Sequence, residues 1–575
     1  MQSLSQPAFL PLQPLQQLQQ HKWGRLLMRL LKLTQINQLY SRNATLEGNE
    51  FISNLLQQLS ITYTFEAEEL RNIPATGGFI AVANHPYGAL DGLLLLELLS
   101  QRRQDTKVLA NEVLASIPNL SSLILPVNPF DGKARKNISG MRQALLHLQE
   151  GHPLGVFPAG EVSNWQMSTQ QVVDKPWQAS VAKLIRKADV PVLPVHFSGH
   201  NSLTFLLMGM VHPLLQTARL PAELLNKQGH QVQVRIGKPI PAGDWQQYQK
   251  TELLSFIRAK TYALTLPSQT LAQKGTKAAP VVPETAPALL EEELANLPPS
   301  KKLYSHLHFD VYLARAGQIP HTLREIGRLR EITFRQVGEG TRLAIDLDQY
   351  DHHYHHLFVY DRHARQLVGA YRVGKGKEIW KRHGKIGFYL NSLFKIKKEL
   401  VPLLKHSLEL GRSFIRPEYQ RKALPLLLLW KGLSLFLKEK PNYKYLIGPV
   451  SISSCFSQLS QSLMVQFIKN HFYDPELAKY VKPRKAFRAN VKQATHQQVL
   501  QQRLSGLSDL DNLIKEIEPR RQGLPVLLKR YLLQNARIIG FNIDPAFSNS
   551  LDGFMVMNVE DLPSETERLF HRIVS

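Results

Sequence analysis

Between residues 61 and 245 short apolar runs alternate with stretches of helical character, and that alternation confines the segment to an α/β architecture. Phe79–Ala83, Gly155–Phe157, Val190–Val195 and Val232–Ile236 read as strands. The alternation then stops. Ser268–Ser300 is rich in Ala and Pro, lacks sustained periodicity and reads as an interdomain linker. Beyond it, Leu343–Leu347, His356–Tyr360, Gln366–Tyr371, Leu408–Phe414 and Leu446–Val450 read as strands of a second α/β domain, with helices at Ala423–Lys438 and Leu524–Gln534. No internal repeat relates the halves, so two different folds are expected. The expected layout is an amphipathic helical region at 1–60, a first domain at 61–265, a linker at 266–304 and a second domain at 305–575.

A length of 575 residues suits two to four domains of about 150 residues each. Hydrophobic content of 43% beside 20% charged residues excludes a wholly disordered or fibrous chain. Cys455 is the single cysteine, so there is no internal disulfide and no paired-cysteine zinc site, and a reducing cytoplasm is the expected setting. Lys and Arg number 70 against 46 Asp and Glu, a formal charge of +24. Such a balance points to a polyanionic partner: nucleic acid, an acidic membrane surface or an acidic protein.

The longest apolar stretches, Ala89–Leu99 and Leu424–Leu437, are broken by Asp91 and Glu97 and by Lys431. Neither reaches the roughly 18–20 uninterrupted residues that span a bilayer. The N-terminus lacks the basic start and compact apolar core of a signal peptide. Trp23–Leu33 places leucines on one helical face, with Arg25, Arg29 and Lys32 elsewhere. It reads either as a helix lying on an anionic membrane surface or as one packed on its own domain. A membrane role would be peripheral.

The strand Phe79–Ala83 runs into Asn84-His85-Pro86-Tyr87-Gly88-Ala89-Leu90-Asp91-Gly92 and then into an apolar helix. Pro86 and Gly88 turn the chain, presenting His85 at the strand's end while Asp91 enters the first helical turn. A His held by a carboxylate can accept a hydroxyl proton, because its pKa lies near neutrality and the acid fixes its tautomer. Alone, the pair is a common structural one. Further on stand Phe157-Pro158-Ala159-Gly160-Glu161-Val162-Ser163 and the Val-Pro-rich run Val190–Gly199.

In this order and spacing the three blocks resemble the glycerolipid acyltransferase family typified by lysophosphatidic acid acyltransferase. The resemblance covers about residues 60–245. It implies His85 and Asp91 as catalytic, and Asn84, Gly88, Phe157, Pro158, Gly160 and Glu161 as substrate-binding. Two departures stand out: five residues rather than four separate His85 from Asp91, and Ala159 and Val162 replace the usual Glu and Arg. A hemolysin-like branch of the family shares both. The missing Arg argues against a phosphate on the acceptor, unless Lys133, Arg135 and Lys136 replace it; that block also reads as a solvated basic loop.

In the second half, Arg330 and Phe334 stand four apart and Asp348 and Asp351 three apart, followed by Arg372 and by Glu409-Leu410-Gly411-Arg412. In a regular strand Glu409 and Arg412 would point to opposite faces unless a bulge intervenes. Together these residues resemble the acyl-homoserine-lactone synthase branch of the GNAT N-acyltransferase fold. Closer still is the ornithine-acyl carrier protein N-acyltransferase, echoed by Glu409–Arg416, Leu428–Gly432, Tyr445–Pro449, Pro525–Tyr531 and Gly540–Phe547 over roughly 305–560. The resemblance implies Glu409 as catalytic, and Arg330, Phe334, Asp348, Asp351, Arg372 and Arg412 as substrate-binding.

Acetyl-CoA-using relatives cradle the pyrophosphate in a glycine-bearing loop before a helix. The corresponding stretch here, Arg416–Ala423, has no glycine. A carrier-protein thioester brings one phosphate, which favours an acyl carrier protein as donor. Carrier proteins are acidic, and two basic runs would meet one: Arg372–Lys398, with nine Lys and Arg and one Glu, and Lys479–Lys492, with no acidic residue. His352, His353, His355 and His356 read as turn and strand surface rather than as a metal site, and Cys455 as a small filler.

The two halves in one chain resemble the bifunctional ornithine-lipid synthases. The implied reaction pair is N-acylation of an amino acid from a 3-hydroxyacyl carrier protein by the second domain, then O-acylation of the resulting lyso-lipid by the first. No metal or redox cofactor is implied; the acyl donor is itself a substrate. The expected partners are the carrier protein, an anionic membrane surface on the inner face of the cytoplasmic membrane, and the amino-acid and lyso-lipid substrates. Nucleic acid is not expected, since charge alone suggests it and no binding motif accompanies it. Alternatives are a different amino acid such as glycine, or a lysophospholipid acyltransferase with a regulatory second domain.

Overall fold

A computed structural model describes residues 32–127, 135–166, 171–211, 213–245, 250–265, 278–420, 422–488, 499–501, 504–518 and 523–563. The chain forms two compact units: Met1–Pro267 with Val491–Arg503 and Leu513–Gln522, and Ser268–Asn490 with Leu504–Asn512 and Gly523–Ser575. The second expected domain is therefore not continuous. Arg235 Nη2 donates to the Ile517 carbonyl at 3.2 Å, and Ile514 and Ile517 are buried. The helix expected over Trp23–Leu33 lies almost wholly outside the described residues.

The first unit holds a seven-stranded sheet of β1 (Thr62–Thr64), β2 (Ile80–Ala83), β3 (Lys107–Ala110), β4 (Ile124–Pro126), β5 (Leu154–Val156), β8 (Val192–Phe197) and β9 (Gln231–Ile236), in the order β1-β9-β8-β2-β5-β3-β4. Its pairings are parallel except β8 with β9. A hairpin, β6 (Asn164–Gln166) with β7 (Gln171–Val173), stands apart from it. Along β2 the residues alternate between two cores. Ala81 and Ala83 join the leucines of the helix Ala89–Ser100, while Ile80 and Val82 face Leu184, Ile185 and Ile257. Buried on both faces, β2 carries no polar residue until it ends at Asn84 and His85.

The second unit is built on eight strands: β10 (Lys302–His306), β11 (Phe309–Arg315), β12 (His355–Asp361), β13 (Gln366–Lys375), β15 (Ser407–Ile415), β16 (Tyr445–Ile452), β18 (Arg537–Asp544) and β19 (Ser550–Asn558). Their order is β10-β11-β12-β13-β15-β16-β19-β18. Neighbours are antiparallel except β15 and β16, which pair in parallel over only Ser407–Glu409 and Tyr445–Ile447. A separate ribbon joins β14 (Phe394–Ile396) to β17 (Val481–Pro483) and sets Lys395 opposite Lys482.

Two expectations fail here. Leu343–Leu347 forms no strand: Arg342 has φ +65°, outside extended backbone, and Asp346 N donates to the Gly327 carbonyl at 3.1 Å. The segment read as linker is part of the second unit from residue 278 onward. Its helix Pro287–Ala295 buries Leu290 and Leu294 among Tyr312, Ile326 and Leu329, and Thr285 N donates to Glu325. Pro287 at the first helical position and leucines four apart were the signals of that helix, masked by the Pro-rich flanks. Among the described residues, no helix is long and apolar enough to cross a membrane.

Candidate active sites

In the first unit β2 delivers His85 to the rim of a cavity of about 380 Å³, lined mostly by apolar side chains. Gly88 caps the helix Ala89–Ser100 with φ +88°, and a Cβ there would stand 2.7 Å from Leu220 Cδ2. That turn brings Asp91 back beneath His85: Nδ1 of His85 lies 3.0 Å from Asp91 Oδ2. The same oxygen accepts the Tyr87 N–H at 2.8 Å and the Gly88 N–H at 3.0 Å. Burial pushes the Asp91 carboxyl above the usual carboxylate range, and the His85 and backbone donors offset this in part. The extra residue between His85 and Asp91 is thus taken up in a turn that keeps the pair in contact. The His85 ring stacks on Phe157 with centroids 4.3 Å apart, and Pro158, Gly160 and Glu161 line the same cavity.

Other expected substrate contacts are placed differently. Asn84 gives both ends of its amide to the Phe197 backbone, at 2.8 and 2.7 Å, fastening β2 to β8 instead of facing substrate. Glu161 is ion-paired to Lys175. Lys133 lies outside the described residues, as does the side chain of Arg135, which opens the helix Arg135–Gln149.

Asp174 escaped the sequence reading. Its buried Oδ1 accepts the His85 N–H at 3.1 Å and the Ser163 hydroxyl, and its Oδ2 accepts the Trp177 indole N–H at 3.0 Å. Ser163 N in turn donates to the His85 carbonyl at 2.8 Å. Asp174 therefore clamps both loops of the site. No spacing rule announces a carboxylate 89 positions from the histidine whose backbone it holds.

In the second unit β15 carries Glu409 and Arg412. Glu409 is buried, and Oε1 accepts the Leu390 N–H at 2.7 Å. Oε2 accepts the Tyr354 hydroxyl, and the Tyr389 N–H at 3.2 Å. Burial pushes the Glu409 carboxyl up to about 7, against the pull of these donors and of Arg372. Arg372 donates to Asp348 at 2.6 Å and to Asp351 at 3.3 Å, beneath the rings of Tyr350, Tyr354 and Tyr389. Arg412 Nε lies 3.2 Å from Asp346, and Nη1 donates to the Tyr389 hydroxyl at 3.4 Å.

Behind this front stand residues that the sequence reading placed on the substrate. Arg330, fully buried, pairs with Asp351 at 2.7 Å. Burial raises the Asp351 carboxyl, but the Arg330 and Arg372 guanidiniums outweigh it and hold the group well below the usual range. Phe334 is a core ring packed edge-on against Phe547, which lies under the Arg412 guanidinium. Asp348 is half-buried and faces both Arg372 and Arg412. His355 and His356, read as surface, are buried, with pKa values pushed down by burial to about 3 and about 4. Cys455, read as a filler, is exposed.

Three further carboxylates gather around Arg412 and Tyr389. Asp544 accepts the Tyr389 hydroxyl at 2.9 Å. Burial and Asp544 together push Asp552 up to about 7, and burial and Asp552 push Glu339 up to about 8.

The Acyltransferase family matches residues 16–269, and the Acetyltransferase (GNAT) domain family matches residues 329–430. The chain is similar to a glycine N(alpha)-acyltransferase of Phocaeicola vulgatus, 29% identical over 46% of this chain and 84% of the relative. It is similar to a lyso-glycine lipid O-acyltransferase of Bacteroides thetaiotaomicron, 29% identical over 39% of this chain and 82% of the relative. An L-ornithine N(alpha)-acyltransferase of Brucella abortus is 29% identical over 25% of this chain and 46% of the relative. The protein is therefore an enzyme that transfers acyl groups. More particularly, it joins an N-terminal acyltransferase domain to a C-terminal GNAT domain.

Proposed function

We propose that the chain is a bifunctional amino-lipid synthase, a reading carried by two chemically different acyl-transfer centres in one polypeptide. In the GNAT domain an α-amine attacks the thioester of a 3-hydroxyacyl carrier protein. A C–N bond forms, the C–S bond breaks, and the carrier leaves as its thiol. The proton lost by the amine passes to Glu409 through a relay whose last link is the Tyr354 hydroxyl, and Glu409 returns it to the departing sulfur, so that the carrier is released as the thiol. A carboxyl held near 7 is matched to this task, where an ordinary Glu at about 4.3 would be a weak base.

In the acyltransferase domain His85 takes the proton of the 3-hydroxyl of that product, oriented by Asp91. The oxygen attacks a second thioester: a C–O bond forms, the C–S bond breaks, and protonated His85 gives its proton to the leaving sulfur, which departs as a thiol. The apolar cavity beside His85 suits a lipid acceptor or acyl chain.

For the amino acid we favour ornithine, because Glu339, Asp544 and Asp552 gather near Arg412, and a second ammonium group there would draw Glu339 and Asp552, held up at about 8 and about 7, into their anionic forms. Glycine is the second reading, favoured by the names of the relatives from Phocaeicola and Bacteroides. An acyl carrier protein as donor is supported by the ribbon β14–β17, where the two basic runs meet with Lys395, Lys397, Lys482, Arg484 and Lys485 exposed. We place the reaction at the inner face of the cytoplasmic membrane.

The test is expression of the full chain in a host without amino-lipids, followed by lipid mass spectrometry. A phosphorus-free diacyl lipid with an ornithine headgroup is expected. A glycine headgroup would move the assignment to the second reading, and an unchanged lipid profile would overturn both.

A further inference from the structure

Among the described residues that line the His85 cavity, Glu161 alone carries a carboxylate, and none is a Lys or an Arg. A carboxylate in so apolar a lining needs a counter-charge. It comes from outside the lining, where Lys175 Nζ donates to Glu161 Oε2. The two side chains are 40% and 32% exposed, so a ligand can reach both. A pair of that exposure contributes little to stability, and its members exchange partners at little cost.

The surrounding contacts fix where the pair stands. Glu161 lies in the loop that wraps His85: Phe157 stacks on the imidazole with centroids 4.3 Å apart, and Ser163 N donates to the His85 carbonyl at 2.8 Å. Lys175 follows Asp174, whose Oδ1 accepts the His85 N–H at 3.1 Å and the Ser163 hydroxyl. Each charge is thus mounted beside residues that grip His85. Their reach from the reacting hydroxyl is set by the same hydrogen bonds that hold the histidine.

We infer that Glu161 and Lys175 form the head-group subsite of this domain, Lys175 receiving the α-carboxylate of the lyso-lipid and Glu161 its side-chain ammonium. The inference rests on the reading of the domain as an O-acyltransferase for a lyso-amino-lipid. After N-acylation the amino acid keeps its α-carboxylate, and ornithine keeps a second amine, so the head group carries one charge of each sign. The pair meets both with charge-assisted hydrogen bonds. A glycine head group uses Lys175 alone. A phosphate monoester brings negative charge only; it is repelled by Glu161 and meets the apolar Val162 of the same lining.

The experiment uses the full-length protein, carrier-protein and coenzyme A thioesters as donors, and three acceptors: N-(3-hydroxyacyl)ornithine, N-(3-hydroxyacyl)glycine and lysophosphatidic acid. Glu161→Gln should raise KM for the ornithine lyso-lipid about tenfold, the loss of one charge-assisted hydrogen bond, with kcat retained and KM for the glycine lyso-lipid unchanged. Lys175→Gln should raise KM for both by about tenfold. The charge swap Glu161→Lys/Lys175→Glu rebuilds the mutual pair, so it rescues a merely structural link but not recognition of the head group; KM for the ornithine lyso-lipid should stay raised. Rescue by the swap would overturn the inference, as would a fall in kcat with KM unmoved. Wild-type acylation of the ornithine lyso-lipid with a KM that neither single variant moves would sink the subsite and leave the reaction of the domain standing. Acylation of lysophosphatidic acid alone would remove that reaction, and the subsite with it.

Discussion

Glu409 and Arg412 stand three apart on one strand, yet both meet Tyr389. The Tyr389 N–H donates to Glu409 at 3.2 Å, and its hydroxyl receives Arg412 at 3.4 Å. A bulge makes this possible: Ala370 pairs with Phe414 but Arg372 with Gly411, so β15 holds one residue more than β13. Arg412 takes up the excess with φ +49°. The odd spacing thereby becomes a same-face pair, and Arg412 accepts a left-handed backbone that a non-glycine residue rarely adopts.

Replacing Glu409 by Gln keeps an acceptor for the Leu390 N–H and removes the proposed base. N-acylation should fall by roughly 10²- to 10⁴-fold, with the fold retained and O-acylation of a supplied lyso-lipid unaffected. Thiol release from the carrier in the presence of amino acid reads the first activity, and mass spectrometry of the lipid reads the second.

The same carboxyl fixes two pH dependences. Below about 7 Glu409 is protonated and cannot accept a proton, so kcat for N-acylation should rise through pH 7 and level off above it. Stability moves the other way. The folded pKa is raised above the unfolded one, so the stabilisation is complete below about 4.3 and is lost as pH rises through about 7. Asp552, near 7, and Glu339, near 8, add to the same loss. Calorimetry across this window should show a falling unfolding temperature for the GNAT domain, with a shallower fall in Glu409→Gln.

His85→Ala should reduce O-acylation by roughly 10²- to 10⁴-fold and leave the N-acylated lyso-lipid to accumulate. If the diacyl lipid still forms at the wild-type rate, the division of labour between the domains is wrong.

Asp174→Asn replaces a carboxylate that receives three donors with an amide that must turn an N–H toward one of them. The His85 backbone should shift, and kcat for O-acylation should fall by about 10- to 100-fold with KM little changed. A purely structural role would instead lower the unfolding temperature without splitting kcat from KM.

Part of the geometry of both candidate sites was legible from local pattern. His85 follows an unbroken apolar strand, and the Pro86–Gly88 turn announces Asp91; Glu409 lies in a strand whose neighbours are apolar. What stayed hidden depends on distant contacts. Asn84 looks like a substrate ligand until Phe197 takes both ends of its amide. Arg330 and Phe334 share a helix face with core residues, and sequence does not tell a buried ion pair from a substrate clamp. His355 and His356 follow a polar turn, which suggested surface, but β12 lies inside the sheet between β11 and β13.

Reversing charge on the ribbon, with Lys395→Glu and Lys482→Glu, should raise KM for the acyl carrier protein by about tenfold and flatten its salt dependence, with kcat retained. An unchanged KM would move the donor's docking surface elsewhere.

The passage of the chain between its units has a practical consequence for anyone wishing to split the enzyme. Polypeptide cut after residue 267 lacks Ile514 and Ile517, both buried, and the carbonyl that receives Arg235. The Arg235–Glu69 pair would then sit beside an apolar wound, its guanidinium short of an acceptor. The two units are built from interleaved segments of sequence, so neither can be freed with a single cut, and co-expressed halves would have to exchange segments of sequence to become whole.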